Sequence, residues 1–134
     1  LAAHGTPTTP DELTDHHVLV YTNVTDPRLL PYVDAAGQPH DVRVAPRLAA
    51  SNGDLLVAAA AEGRGIVVEP NFMAARAVAG GALVPILDGY SRPATPAYIV
   101  YPHTRHLSLR VRAFIDHVIE WFSGELPWDA CCGG

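Results

Sequence analysis

Residues 58–70 read AAAAEGRGIVVEP, and the order of elements around the pair Gly63 and Gly65 decides the fold. A dinucleotide fingerprint needs its glycines after a strand and at the opening of a helix, so that the helix N-terminus meets the pyrophosphate. Here the order is reversed. The alanine-rich run from Leu55 to Ala61 is strongly helix-forming, with Ser51 in N-cap position and Asp54 three residues on. Gly63 falls where a left-handed stop belongs. Ile66, Val67 and Val68 then make a continuous apolar strand of the kind buried on both faces of a parallel sheet. The glycines are hinges between a helix and a strand, and no dinucleotide cofactor is expected.

Outward from that stretch, HVLVYT (17–22) has strand character, and DVRVAP (41–46) alternates with period two. TPTTPDELTDH reads as a polar, proline-broken loop, and LAAHG (1–5) as the last turn of a helix stopped at Gly5. Downstream, NFMAARAVAGG predicts a short helix ending at Gly80 and Gly81, and ALVPIL (82–87) and PAYIVYP (96–102) predict strands. A closing helix is predicted from Leu107 to Phe122, with Leu107, Val111, Phe114, Ile115, Val118, Ile119 and Phe122 at helical spacing on one side. Strands alternating with helices predict an α/β sheet with right-handed crossovers. A stripe as long as that on the closing helix is too large to stay wet in a monomer. It is expected to be buried against the chain's own sheet or against a second copy.

Composition narrows the function. The 134 residues suit one domain, and 49% apolar content is ample for a core. A formal charge of −5, with nine arginines and no lysine, makes a poor surface for a phosphate backbone. No apolar run has membrane-spanning length and no signal-peptide pattern opens the chain. Cys131 and Cys132 are adjacent and make no disulfide framework, so a cytoplasmic setting is expected. The first residue is Leu, which suggests a piece of a longer protein.

Catalytic and metal constellations are refused on spacing. His16 and His17 point to opposite faces if they lie in a strand, and His103 and His106 lack a third ligand. GYSRP (89–93) lacks the second glycine of a nucleophile elbow. No enzyme activity, metal or cofactor is expected. In open α/β sheets ligands bind beyond the carboxyl ends of the strands. Those ends are read as Tyr21, Thr22 and Asn23, then Pro46 to Leu48 including Arg47, then Glu69, Pro70, Asn71 and Phe72. The helix start at Ser51 and Asn52 lies on the same edge, and its positive end favours an anion such as a carboxylate. Each group also has a plainer use: Ser51 as a cap, Asn23 as a turn residue, Pro70 and Phe72 as a bend and a core edge.

The same residues carry a family resemblance. TPDELTDHHVLVYT, VRVAPRLAASNGDLLVAAAAEGRGIVVEPNF, GALVPILDGY and AYIVYPHTRHLSLRVRAFIDHVIEWF follow one another as in the effector-binding region of LysR-type transcriptional regulators. The likeness covers nearly all of residues 9–122. It implies a Rossmann-like subdomain of the type II periplasmic-binding-protein class, with a mixed, mostly parallel sheet flanked by helices and a C-terminal helix. It further implies that residues 1–102 form the second lobe, and that 103–134 form a helix and tail returning to a first lobe that is largely absent. Tyr21, Thr22, Asn23, Arg47, Ser51, Asn52, Pro70, Asn71 and Phe72 would then line an inducer cleft between lobes. The resemblance implies a small-molecule effector, assembly as homodimers or larger homo-oligomers, and DNA contact only through a missing N-terminal winged helix-turn-helix. A fragment of a periplasmic solute-binding protein is the alternative, since it shares the two-lobed fold. A small α/β enzyme is a second rival.

Overall fold

The computed structural model describes residues 5–94, 96–101, 107–124 and 126–128. It divides into two compact units, Leu1–Pro93 with Trp128–Gly134, and Ala94–Pro127.

The first unit is built around β1 (Val18–Tyr21). Val18 and Val20 enter one apolar cluster and Leu19 the other, so alternate side chains of β1 are buried on both faces. Its parallel neighbours are β4 (Pro46–Ala50) and β5 (Ile66–Val67), in the order β4–β1–β5. Helix α1 (Gly53–Ala61) makes the crossover from β4 to β5 and packs Leu56 and Ala60 on Leu19. A second sheet is antiparallel, with β2 (Leu29–Asp34) between β3 (Pro39–Arg43) and the two-residue β6 (Tyr90–Ser91). Leu30, Tyr32, Val42 and Val44 join Leu13, Val18 and Val20 in one core. The β2–β3 turn is closed by Asp34, whose Oδ1 accepts from the Ala36 and Gln38 amides at 2.9 and 2.7 Å.

Around the opening stretch the glycines are hinges. The N–H of Gly63 donates to the Ala60 carbonyl at 2.8 Å with φ +73, and that of Arg64 donates to the Ala59 carbonyl at 3.0 Å. Gly65 then passes so close to the His17 carbonyl that any side chain there would strike it. Ile66 N–H, donating to that carbonyl at 2.8 Å, starts the β1–β5 ladder.

Several expectations are corrected. The strand 66–68 is covered on both faces, Ile66 and Val68 on one cluster and Val67 on the other, but only to half-burial: it is short and lies at the edge of its sheet, while β1 holds the centre. DVRVAP is not a strand of the parallel sheet; its first residues belong to β3, and the parallel neighbour of β1 begins at Pro46. TPTTPDELTDH is not a loop throughout, because Pro10–Asp15 forms a 3₁₀ turn. Pro10 suits the first helical position, Glu12 accepts from Thr8 through both oxygens, and Leu13 inserts into the core. The N-cap of α1 is Asn52, whose Oδ1 accepts from the Leu55 amide at 3.1 Å, and not Ser51.

ALVPIL forms no strand, since Pro85 lacks a ladder donor and Leu87 turns left-handed at φ +63. Helix α2 (Asn71–Ala79) stops at Gly80, as predicted. The expected last helical turn before Gly5 lies outside the described residues.

In the second unit residues 96–101 form no strand, and Val100 is 89% exposed. Position 102 of that predicted strand lies outside the described residues. Helix α3 (Leu109–Phe122) starts two residues later than predicted, at a Ser108 cap that accepts from the Val111 amide at 3.3 Å. None of its residues is buried, and Phe114 is 64% exposed. Within this unit its stripe is not buried. Among the described residues no helix is long and apolar enough to cross a membrane.

Candidate functional site

The parallel register sets the geometry of the site. Tyr21 pairs with Ala50, and the Thr22 amide donates to the Ala50 carbonyl at 2.9 Å. The chain therefore leaves β1 at Thr22 and Asn23 beside the point where it leaves β4 at Ser51 and Asn52. Asn23 donates from Nδ2 to the Tyr21 hydroxyl at 3.1 Å, which steadies the exit of β1. After β5, Glu69 and Pro70 lead into α2, and the Pro70 carbonyl accepts from Met73 N–H at 3.0 Å. Thr22, Asn23, Ser51, Asn52, Pro70 and Asn71 are all exposed. Phe72 is 61% exposed, with its ring edge-on to Trp128 at 6.1 Å between centroids.

Arg47 is not brought to this edge. It sits at the other end of β4, in the register irregularity opposite Val18 and Leu19, with Nη1 3.3 Å from His17 Nε2. The cause is the frame of β4: the strand continues to Ala50, so the position taken as its end is its beginning.

Two residues join the site to which the sequence reading gave no chemical part. Gly53 is buried because Met73 Sδ and Glu69 Oε2 lie 2.8 and 3.1 Å from the place a β-carbon would take. The first turns of α1 and α2 thus meet across a missing side chain. Glu69 had been named as part of a strand end, without a chemical part. Its Oε1 is buried and has no hydrogen-bond partner among the described residues. A charged residue directly after an apolar run, at the carboxyl end of a parallel strand, is the signal that could have singled it out.

Burial pushes the Glu69 carboxyl above its ordinary value of 4.5, and the nearby Asp54 charge adds to the effect. The folded chain therefore holds this proton to higher pH than the unfolded chain does. Ionised Glu69 lowers stability above the folded pKa, and the penalty disappears as pH falls below the ordinary value. Glu69→Gln is accordingly expected to raise the melting temperature at neutral pH, by on the order of 2 °C, since partial exposure keeps the gain small. Melting curves from pH 7 down to pH 4 check this: the difference from wild type should close as the pH falls.

The described residues hold no group of three metal-ligating side chains. His103, His106, Cys131 and Cys132 lie outside those residues. What the edge offers is hydrogen-bonding groups, one exposed ring and a carboxylate, which suits reversible binding.

Comparison with known proteins decides the family. The LysR substrate binding domain family matches residues 1–123. The chain belongs to that family. It is 32% identical over 127 residues to the HTH-type transcriptional regulator CrgA of Neisseria meningitidis serogroup B, covering 94% of this chain and 42% of that protein. The regulatory domain of CrgA superposes with a TM-score of 0.71 at 33% identity, over 90% of this chain and 59% of that domain. Full-length AphB of Vibrio cholerae superposes at 0.76 with 29% identity, over 90% and 41% of the two chains. The chain spans about 42% of the length of the curated CrgA it matches. These relatives are transcriptional regulators, which does not favour the solute-binding alternative. The LysR-type assignment also confirms the expected fold class, a periplasmic-binding-protein-like α/β domain.

Proposed function

We propose that this LysR-type domain senses a small-molecule effector at the carboxyl edge of β4, β1 and β5 and passes its occupancy to a DNA-binding winged helix-turn-helix of the whole regulator. The family match across residues 1–123 carries the reading, and the exposure of the strand ends supports this location. In this proposal residues 1–102 are the second lobe of a two-lobed sensor, and 103–134 return to a first lobe. The exposed apolar side of α3 supports that division, because it offers a ready-made face for the other lobe or for a second copy. The regulator would act as a homodimer or larger homo-oligomer in the cytoplasm and without catalysis, contacting DNA through parts other than this acidic chain.

Tyr21, Thr22, Asn23, Ser51, Asn52, Pro70, Asn71 and Phe72 are the proposed effector contacts, with Arg47 affecting them indirectly through β4. The positive end of α1 supports a carboxylate on the effector. Asp54 and Glu69 weaken that support, so the proposal confines an anionic group to the exposed Ser51–Asn52 side.

The test is an amide-shift titration of the ¹⁵N-labelled chain against a panel of small carboxylic acids and their neutral analogues. Shifts are expected at Thr22, Asn23, Ser51, Asn52, Asn71 and Phe72, with affinity weaker than about 1 μM because one wall of the cleft is absent. Shifts confined to other surfaces, or sub-micromolar affinity for this chain alone, would overturn the reading.

A further inference from the structure

The effector edge carries a large ring that core packing does not call for. Phe72 stands in the first turn of α2, a helix with no buried residue. Among the described residues of the first unit it is the one aromatic side chain in the set of exposed large apolar groups. Its ring meets Trp128 edge to face, with centroids 6.1 Å apart and planes inclined at 64°. That spacing is within the range where aromatic pairs attract. Trp128 is half-buried and belongs to the first unit, although the chain reaches it only after α3. It lies beyond residues 1–123, the part that matches the family.

The exposure of Phe72 decides what Trp128 does there. A lid would cover the ring, yet Phe72 stays 61% exposed with Trp128 in place. Trp128 is therefore a second wall. Two inclined rings present a face and an edge together, and a planar π system can complement both, whereas a saturated ring offers only apolar area. The corner is also well placed toward an anion. Phe72 precedes Met73 and Asn52 precedes Gly53, and Met73 Sδ lies 2.8 Å from where a β-carbon on Gly53 would stand. The aromatic corner thus opens at the start of α2, beside the start of α1 where a carboxylate is proposed.

We propose that Trp128 is a specificity-determining residue of the effector edge, selecting with Phe72 those effectors that carry a planar unsaturated ring beside their anionic group. This inference rests on the effector reading above and adds to it one residue and a ligand class.

The test titrates benzoate and cyclohexanecarboxylate into the ¹⁵N-labelled 134-residue chain. The two acids share a charge and differ in the ring, and area burial alone favours the bulkier saturated one. Benzoate is expected to bind about threefold to tenfold more tightly, the scale of one aromatic pair. It should also shift the indole N–H signal of Trp128 further than the saturated acid does. Trp128→Ala should bring the affinity ratio below about twofold while both acids still shift Thr22, Asn23, Ser51 and Asn52. Trp128→Phe should keep the preference for benzoate. The ratio and the indole signal in wild type test the proposal even if a variant fails to fold. Equal affinities at the edge, a Trp128 signal that benzoate leaves unmoved, or a folded Trp128→Ala chain of unchanged ratio would overturn it and leave the effector reading standing. Edge amides unmoved by either acid would overturn that reading, and this inference with it.

Discussion

Gly65→Ala is expected to destabilise the domain by about 3 kcal/mol or more, enough to leave a marginal domain largely unfolded. The new methyl group would meet the backbone carbonyl oxygen of His17, with Leu19 Cδ2 3.1 Å away on another side. Neither neighbour can retreat cheaply. That carbonyl accepts the Ile66 amide at the start of the β1–β5 ladder, and Leu19 is fully buried beneath α1. Gly63→Ala is the control. A β-carbon there meets nothing within 4 Å, so its cost is the left-handed φ of +73, about 1–2 kcal/mol. Urea denaturation of the two variants should rank Gly65→Ala clearly below Gly63→Ala. Equal midpoints would mean that the close pass over His17 is not what demands a glycine.

Those two glycines also show why part of the fold could be read in advance. The helix before Gly63, the β1 strand and the helix after Pro70 are local patterns, and each forms where its own residues direct it. Sheet membership is not local. The run Leu29–Asp34 carries Pro31, a residue that argues against a central strand, yet it is the middle strand of the antiparallel sheet. The Asp34 amide and the Arg28 carbonyl both bond on the β3 side, so Pro31, of opposite parity, faces the β6 side. There β6 reaches only Val33 and Asp34, and a missing donor at Pro31 costs nothing.

The converse failure is ALVPIL and PAYIVYP, apolar enough for strands but without a ladder partner among the described residues. Of the proposed effector edge, the neighbourhood of Thr22–Asn23 and Ser51–Asn52 was legible because the crossover rule places parallel strand ends together. Arg47 was misplaced because reading the strand as 41–46 shifted its end by four residues, from Ala50 to Pro46. Choosing between Ser51 and Asn52 as the cap needed backbone angles, since either side chain can accept from the first turn.

The second large effect expected is at Leu56, where truncation to alanine should cost about 2–5 kcal/mol. Leu56 is fully buried on Leu19, where with Ala60 it fastens α1 to the centre of the parallel sheet. Its neighbour Leu55 is 53% exposed, and Leu55→Ala should change stability by no more than about 0.5 kcal/mol. Chemical denaturation of the pair measures the difference directly, and similar midpoints would show that α1 does not rest on β1 through this face. The consequence reaches the site, because Leu56 N–H also bonds to the carbonyl of Asn52 at 3.4 Å. A helix loosened at Leu56 would lose its fixed start at Asn52 and Gly53, and with it the approach of Glu69 and Met73. Residual effector shifts at Ser51 and Asn52 should therefore weaken in Leu56→Ala even under conditions where most of the chain remains folded. In Leu55→Ala they should persist unchanged.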